Sequence, residues 1–200
     1  MWSEQQVNAA LKLLQVIANT PYRNAPNIDL TKTLNTPVNT AFSTSTTGGT
    51  LAAGTYYYRV SALNANGETL ASTETSQVTT GTTSTVTVNW GAVAGATSYK
   101  VYGRSTGAEL LMATVTGGAL TFTDTGSITP SGALPGANTA TIDYTKNDGF
   151  LLQVGVAGTV KGTDVNGNVV SRTFPVGVAP FLFASITKTG TSATDLGAIY

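Results

Sequence analysis

The chain contains neither histidine nor cysteine. Without them there is no Ser-His-Asp or Cys-His nucleophile, no thiolate chemistry, no disulfide and no ordinary zinc site. Charge is scarce too: 10% of the residues are Asp, Glu, Lys or Arg, against about 25% in an ordinary soluble domain. Ten cations balance ten anions to a net charge of zero, and the basic residues are scattered without forming a stripe. That excludes the electrostatic footprint of a nucleic-acid binder. No run reaches the ~18 apolar residues that span a bilayer, so no membrane partner is expected. The N-terminus carries Glu4 and no basic region, which argues against a secretory leader. Aromatic residues make up only 8%. Disorder fits low charge and few aromatics, but it usually brings a high net charge.

What remains is Thr, Gly, Ala, Val, Ser and Asn. Thr and Val favour strands, and Gly and Asn favour the turns between them. With 41% hydrophobic residues in 200, the chain can bury a core in one or two domains. The composition points to a mainly β protein with a neutral, hydroxyl-rich surface.

Residues 1–20 are the exception. Ser3 to Gln6 has capping-box spacing, and Val7, Ala10, Leu11, Leu14, Ile17 and Ala18 recur at helical intervals, predicting one amphipathic helix that ends at Asn19-Thr20-Pro21. A lone helix of this length is marginal in water, so its apolar stripe needs a cover, either an open end of its own β-domain or a neighbouring subunit. Residues 21–49 have no sustained periodicity and contain Pro26 and Pro37. Their isolated apolar residues Ile28, Leu30, Leu34, Val38 and Phe42 suggest an extended arm lying across a partner rather than a free linker. Val7, Leu11, Leu14 and Ile17 with these five are the candidate assembly contacts.

Residues 50–136 alternate with period two. Tyr56, Tyr58, Val60 and Ala62 fall on one face, Asn66-Gly67 offers a positive-φ hairpin turn, and Leu70 to Thr79 returns. Val86, Val88 and Trp90, then Tyr99 and Val101, point inward, and Leu110 to Val115 and Leu120 to Thr123 are the last strands. The inward phase makes Trp90, Tyr56, Tyr58 and Tyr99 core residues. Tyr57 and Tyr102 take the outward phase and are the candidate exposed contact surface. VTVNWGAVAGATSYKVYGRS (Val86 to Ser105), with the later LTFTDTG, resembles the first half of a fibronectin-type-III or immunoglobulin-like sandwich. GTYYYRVSALNANGE (Gly54 to Glu68) resembles its final hairpin, yet comes first. The pair resembles one circularly permuted domain, an arrangement associated with structural proteins of tailed bacteriophages. A truncated tandem pair would leave open edges.

Residues 137–200 predict a second small β-domain of five or six short strands, with turns at Asn147-Asp148-Gly149 and Asn166-Gly167. Its ending, KTGTSATDLGAIY, resembles the closing strands of small phage virion proteins, including bases of head spikes. The acidic residues show no pairing over a cleft and most sit at turns, and the segment around Asp164 lacks the ligands of a calcium loop. No catalytic residue, cofactor or metal is expected. The resemblance implies a non-enzymatic virion protein, favoured as a capsid decoration (cement) or head-spike-base protein bound to the major capsid protein. A tail, baseplate or fibre-attachment protein is the alternative, and a glycan- or receptor-binding adhesin is the reading from another class. A homo-oligomer such as a trimer suits a symmetric particle.

Overall fold

The computed structural model describes residues 27–199. The helix expected over residues 1–20, with Val7, Leu11, Leu14 and Ile17, lies outside them. The described chain is mainly β, with strands and no helix, and its contacts divide it into two compact units.

The larger unit is Lys32–Ile142. Its strands are β1 (Ser43–Ser45), β2 (Gly54–Leu63), β3 (Thr75–Thr79), β4 (Thr85–Asn89), β5 (Ser98–Arg104), β6 (Leu110–Thr116) and β7 (Thr121–Asp124). They form two antiparallel sheets, ordered β3-β2-β5-β6 and β1-β4-β7. The predicted alternation places Tyr58, Val60 and Ala62 of β2 opposite Val86 and Val88 of β4 in one core, with Trp90, Tyr99 and Val101. Two sheets that bury one face each against a shared core make a sandwich.

This unit reaches beyond residues 50–136 on both sides. Leu34, 3% exposed, and Ala140, fully buried, join its core, and the Leu34 N–H donates to the Ala140 carbonyl at 2.8 Å. Further along, the Thr40 N–H donates to Asn89 O and the Gly91 N–H to Val38 O, each at 2.9 Å. Much of the stretch read as an arm is therefore part of its own sandwich. Its polar composition reflects side-chain bonds, with Asn39 as the hub: its amide donates to Thr73 O and Thr75 Oγ1 and accepts from Ser72 Oγ.

The first hairpin departs from expectation in two ways. Gly67 does not take a positive φ; the turn is made by Asn64, whose side-chain oxygen accepts the Asn66 and Gly67 N–H groups. Gly67 is required for close approach, since a Cβ there would lie 2.3 Å from Thr139 Oγ1. The returning chain becomes a regular strand only at Thr75. Before that, hydroxyls replace carbonyls as acceptors: Ala62 N–H donates to Thr69 Oγ1 and Val60 N–H to Ser72 Oγ.

In the second unit the described residues are 27–31 and 143–199. One antiparallel sheet holds β8 (Tyr144–Val156), β9 (Gly158–Asp164), β10 (Val169–Phe174), β11 (Gly177–Ile186) and β12 (Thr194–Ile199), in the order β10-β9-β11-β8-β12. Its core centres on Phe150, Phe174 and Phe183, with ring centroids 6.1 to 6.2 Å apart. The turn expected at residues 147–149 is not formed, and β8 runs through it. Gly149, at φ +77°, absorbs an irregularity in the register with β11 instead. The Asn166-Gly167 tip is as expected, with Gly167 at φ +83°.

Candidate functional site

Three of the candidate assembly contacts are core residues of their own chain. Ile28 and Leu30 (7% and 8% exposed) enter the core of the second unit, where the Ile28 N–H donates to Leu196 O at 2.7 Å. Leu34 enters the sandwich core. Burial in their own units corrects the expectation that they contact a partner. Phe42 packs edge-on against Tyr58 at 6.0 Å. Val38, at 72%, is the exposed member of the described set.

The two tyrosines also separate. Tyr57 is half-buried on β2. Tyr102 was expected on an exposed surface and is 2% exposed. It pairs with Arg59 in the β2–β5 ladder, and its hydroxyl donates to Glu68 Oε1. Glu68 also accepts from Ser61 Oγ and Lys100 Nζ, both at 2.6 Å, tying the end of the first hairpin to this part of the sheet. Period two assigns a side of the sheet; it does not reveal that a loop folds over that side.

The carboxylates carry the electrostatics. Among the described residues there are three ion pairs, each with its cation on β2 or β5. Asp124, fully buried at the end of β7, receives a two-pronged bond from Arg104 of β5, Nε and Nη2 each at 2.7 Å. Tyr58 Oη and the Gly126 N–H complete its shell at 2.9 and 2.8 Å. This cluster ties one sheet to the other. Burial works to raise the Asp124 carboxyl, but Arg104, the Gly126 N–H and Tyr58 outweigh it and hold it below the usual range. Burial and then the Asp124 charge push the Tyr58 hydroxyl far up. Glu68 is likewise held low, with Lys100, Ser61 and Tyr102 overcoming its burial.

Glu109 behaves oppositely. Its side chain is sealed from solvent and Oε1 accepts from Arg59 Nε at 3.1 Å. Burial raises its carboxyl, Glu74 adds to the rise, and Arg59 opposes it. Half-buried Glu74 is held low, first by the Gly107 N–H at 2.6 Å. Two carboxyls pushed apart in this way have the electrostatics of an acid–base pair, but a sealed Glu109 cannot meet a substrate. The arrangement fastens the loop before β6 to β2.

Beside the Ile28–Thr31 segment a cavity of about 270 Å³ is lined by Asp29, Thr31, Lys188, Thr191 and Asp195 over Ile28, Leu30 and Leu196. It lies below the roughly 300–1,000 Å³ of ordinary ligand pockets. Asp29 is engaged there by the Thr31 N–H and hydroxyl. Asp164 accepts the N–H groups of Asn166 and Asn168, each at 2.8 Å, which is turn chemistry. No group of three metal-ligating side chains occurs among the described residues.

Sequence reading missed Glu68, Glu109 and Asp124 as partners. The available signal was Arg59, Lys100 and Arg104, cations on predicted central strands in a chain with few charges. The fold and these clusters define a mainly β protein whose larger unit is a sandwich, its two sheets tied by the Arg104–Asp124 pair. No protein-family model, curated protein or solved structure matches the chain.

Proposed function

We propose that the chain is a non-enzymatic structural protein of a tailed-phage virion, seated on the capsid surface as a decoration or head-spike-base protein with the major capsid protein as its partner. The observation that carries this reading is strand order. β2 and β3, which resemble the last hairpin of a fibronectin-type-III domain, precede β4 to β7, which resemble its first half. Yet β2 lies beside β5 in the middle of the four-stranded sheet, paired from Tyr57↔Arg104 to Leu63↔Ser98. That ladder favours one permuted sandwich over two half-domains with open edges. The edge beside β4 is filled by β1, which stays ahead of the displaced hairpin.

The deployment of the carboxylates supports a structural role: Asp124, Glu68 and Glu109 hold sheets and loops together. A tail or fibre-attachment protein remains the second location. The adhesin reading loses ground because one of its two aromatic contacts, Tyr102, is buried. The test is to purify particles, identify the chain by mass spectrometry and locate it by antibody labelling in electron micrographs. Label on the shell supports the capsid reading, and label on the tail moves the protein there. Absence from particles, with binding of the isolated chain to host glycan, overturns the structural reading.

A further inference from the structure

Glu109 stands just ahead of β6 with its side chain sealed from solvent. Its Oε1 accepts from Arg59 Nε at 3.1 Å, but no N–H or O–H donor among the described residues reaches Oε2. A buried carboxylate oxygen left without a donor is costly, and the group escapes that cost by taking up a proton. The acceptor for such a proton is in place: the Glu74 carboxyl lies in hydrogen-bond contact with that of Glu109. Two ionised carboxylates offer only lone pairs, so a bond between them needs one proton.

The surroundings decide which carboxyl carries it. Glu74, half-buried immediately before β3, already accepts the Gly107 N–H at 2.6 Å and the Thr106 hydroxyl at 3.3 Å. Those donors favour its charged form, whereas Glu109 is out of water, which favours its neutral form. Arg59 of β2 is the cation that bears on both. Across the ladder from Arg59, Tyr102 of β5 gives its hydroxyl to Glu68, which pairs with Lys100, and Arg104 is taken by Asp124. β3 and β6 carry no charged residue. Among the described residues, no second cation is therefore placed to hold two negative charges here.

We propose that Glu109 and Glu74 share one proton and that its loss frees residues 105–109, the connection between β5 and β6, making the pair a pH-operated latch. With the proton in place, bonds run unbroken from Thr106 and Gly107 through Glu74 and Glu109 to Arg59. They tie the connection to the approach to β3 and to β2. Without the proton, two negative charges meet one cation, and like charges repel most where water is excluded. Glu109 is enclosed and bonded to Arg59, so Glu74 is the member that swings away, and Thr106 and Gly107 lose their acceptor. The proton is bound at low pH; the latch opens as rising pH passes through the raised value at which the pair releases it. The inference stands independently of the phage reading.

The test follows the carboxyl carbons and backbone amides of the full-length protein by NMR from roughly pH 3 to pH 9, a span that brackets the ordinary glutamate value. In the wild type, Glu109 is expected to titrate above the ordinary glutamate range and Glu74 below it. The Gly107 amide proton should move upfield with the Glu109 midpoint, as its bond to Glu74 breaks. Glu109→Gln supplies a permanent N–H donor to Glu74, so the Gly107 resonance should hold its low-pH position throughout. Glu74→Gln removes the like charge and the acceptor, so Glu109 should titrate at lower pH than in the wild type. Two carboxyls titrating together in the ordinary range overturn the proposal, as does a Gly107 amide that stays bonded through the Glu109 midpoint. A Gly107 shift that persists in E109Q overturns it too. An unmoved Glu109 midpoint in E74Q means that burial alone holds the proton, and refutes the sharing. The wild-type titration decides the first two outcomes by itself, so a variant that fails to fold leaves the test intact.

Discussion

Replacing Asp124 by asparagine removes one negative charge from the point where the two sheets of the sandwich are tied. Asp124 is fully buried and accepts four hydrogen bonds, two from Arg104 and one each from Tyr58 and Gly126. Removing one partner of a buried ion pair costs about 3–5 kcal/mol, because the other charge stays behind uncompensated. The Arg104 side chain is 19% exposed, so water recovers part of its solvation and the lower end applies, about 3 kcal/mol. For a domain near 100 residues each kcal/mol moves the melting temperature by about 4 °C, giving a fall of roughly 12 °C. Trp90 lies in the sandwich core. Urea unfolding followed by its fluorescence in a Trp2→Phe background therefore reads this unit.

The pH dependence has a definite sign. The folded carboxyl is held low, so its contribution is fully present above the unfolded value of about 3.9 and is lost as pH falls through the folded value. The gap between wild type and D124N should therefore close below about pH 4. A double-mutant cycle with Arg104→Met should show coupling of about 2 kcal/mol or more, since the two groups share one network. A neutral-pH gap under about 1 kcal/mol, a gap that persists unchanged in acid, or strict additivity would refute the cross-tie.

Glu109→Gln should flatten stability against pH above the ordinary glutamate range: the buried carboxyl is held high, so its contribution declines as pH rises from about 4.3 through the folded value, and a neutral amide removes that decline. Urea midpoints at several pH values measure it, and an unchanged slope counts against the assignment. Gly67→Ala would place a Cβ 2.3 Å from Thr139 Oγ1 and 2.5 Å from its carbonyl oxygen; a loss of about 1–3 kcal/mol is expected from overpacking. Leu34→Ala should cost about 2–5 kcal/mol as a core truncation, whereas Val38→Ala at an exposed site should stay within about 0.5 kcal/mol. Equal effects at the two positions would mean that the segment does not pack as described.

Strand phase was legible in the sequence because period two needs only local information. Tyr58, Val60, Ala62, Val86, Val88, Trp90 and Tyr99 all turn inward as the alternation requires. What depends on contacts distant in sequence was not legible. Leu34 looked like an anchor for a partner because nothing local reveals that Ala140 offers it a carbonyl and a core. Tyr102 looked exposed because nothing local reveals that Glu68, 34 residues away in sequence, folds over it. Asn147-Asp148-Gly149 read as a turn because its composition is that of one; pairing with β11 before it, at Tyr144 and Thr145, and after it, from Phe150, carries β8 past it, and Gly149 takes the positive φ in the register shift between. In the candidate site the cations were visible as oddities on central strands, but their partners were not, since Glu68 and Glu109 lie in connections and Asp124 at a strand end, and only the fold brings each to its cation.

The scarcity of charge concentrates the electrostatics in the interior of the sandwich. Three of the ten cations and three of the ten carboxylates are taken up in the sandwich ion pairs. Much of the remaining polar character is hydroxyl, and these groups also bond to one another, as in Thr87 with Thr123 at 3.3 Å and Thr163 with Ser185 at 2.9 Å. Net charge far from zero is what keeps many proteins apart, and this chain has none. The charges that remain decisive are at short range and partly out of water: Arg104 meets Asp124 at 2.7 Å with the carboxylate sealed from solvent. Added salt, which screens charges beyond about 10 Å at 0.1 M, should therefore leave the stability of the sandwich nearly unchanged; a marked loss of urea stability on adding salt would mean that longer-range surface charges hold the fold.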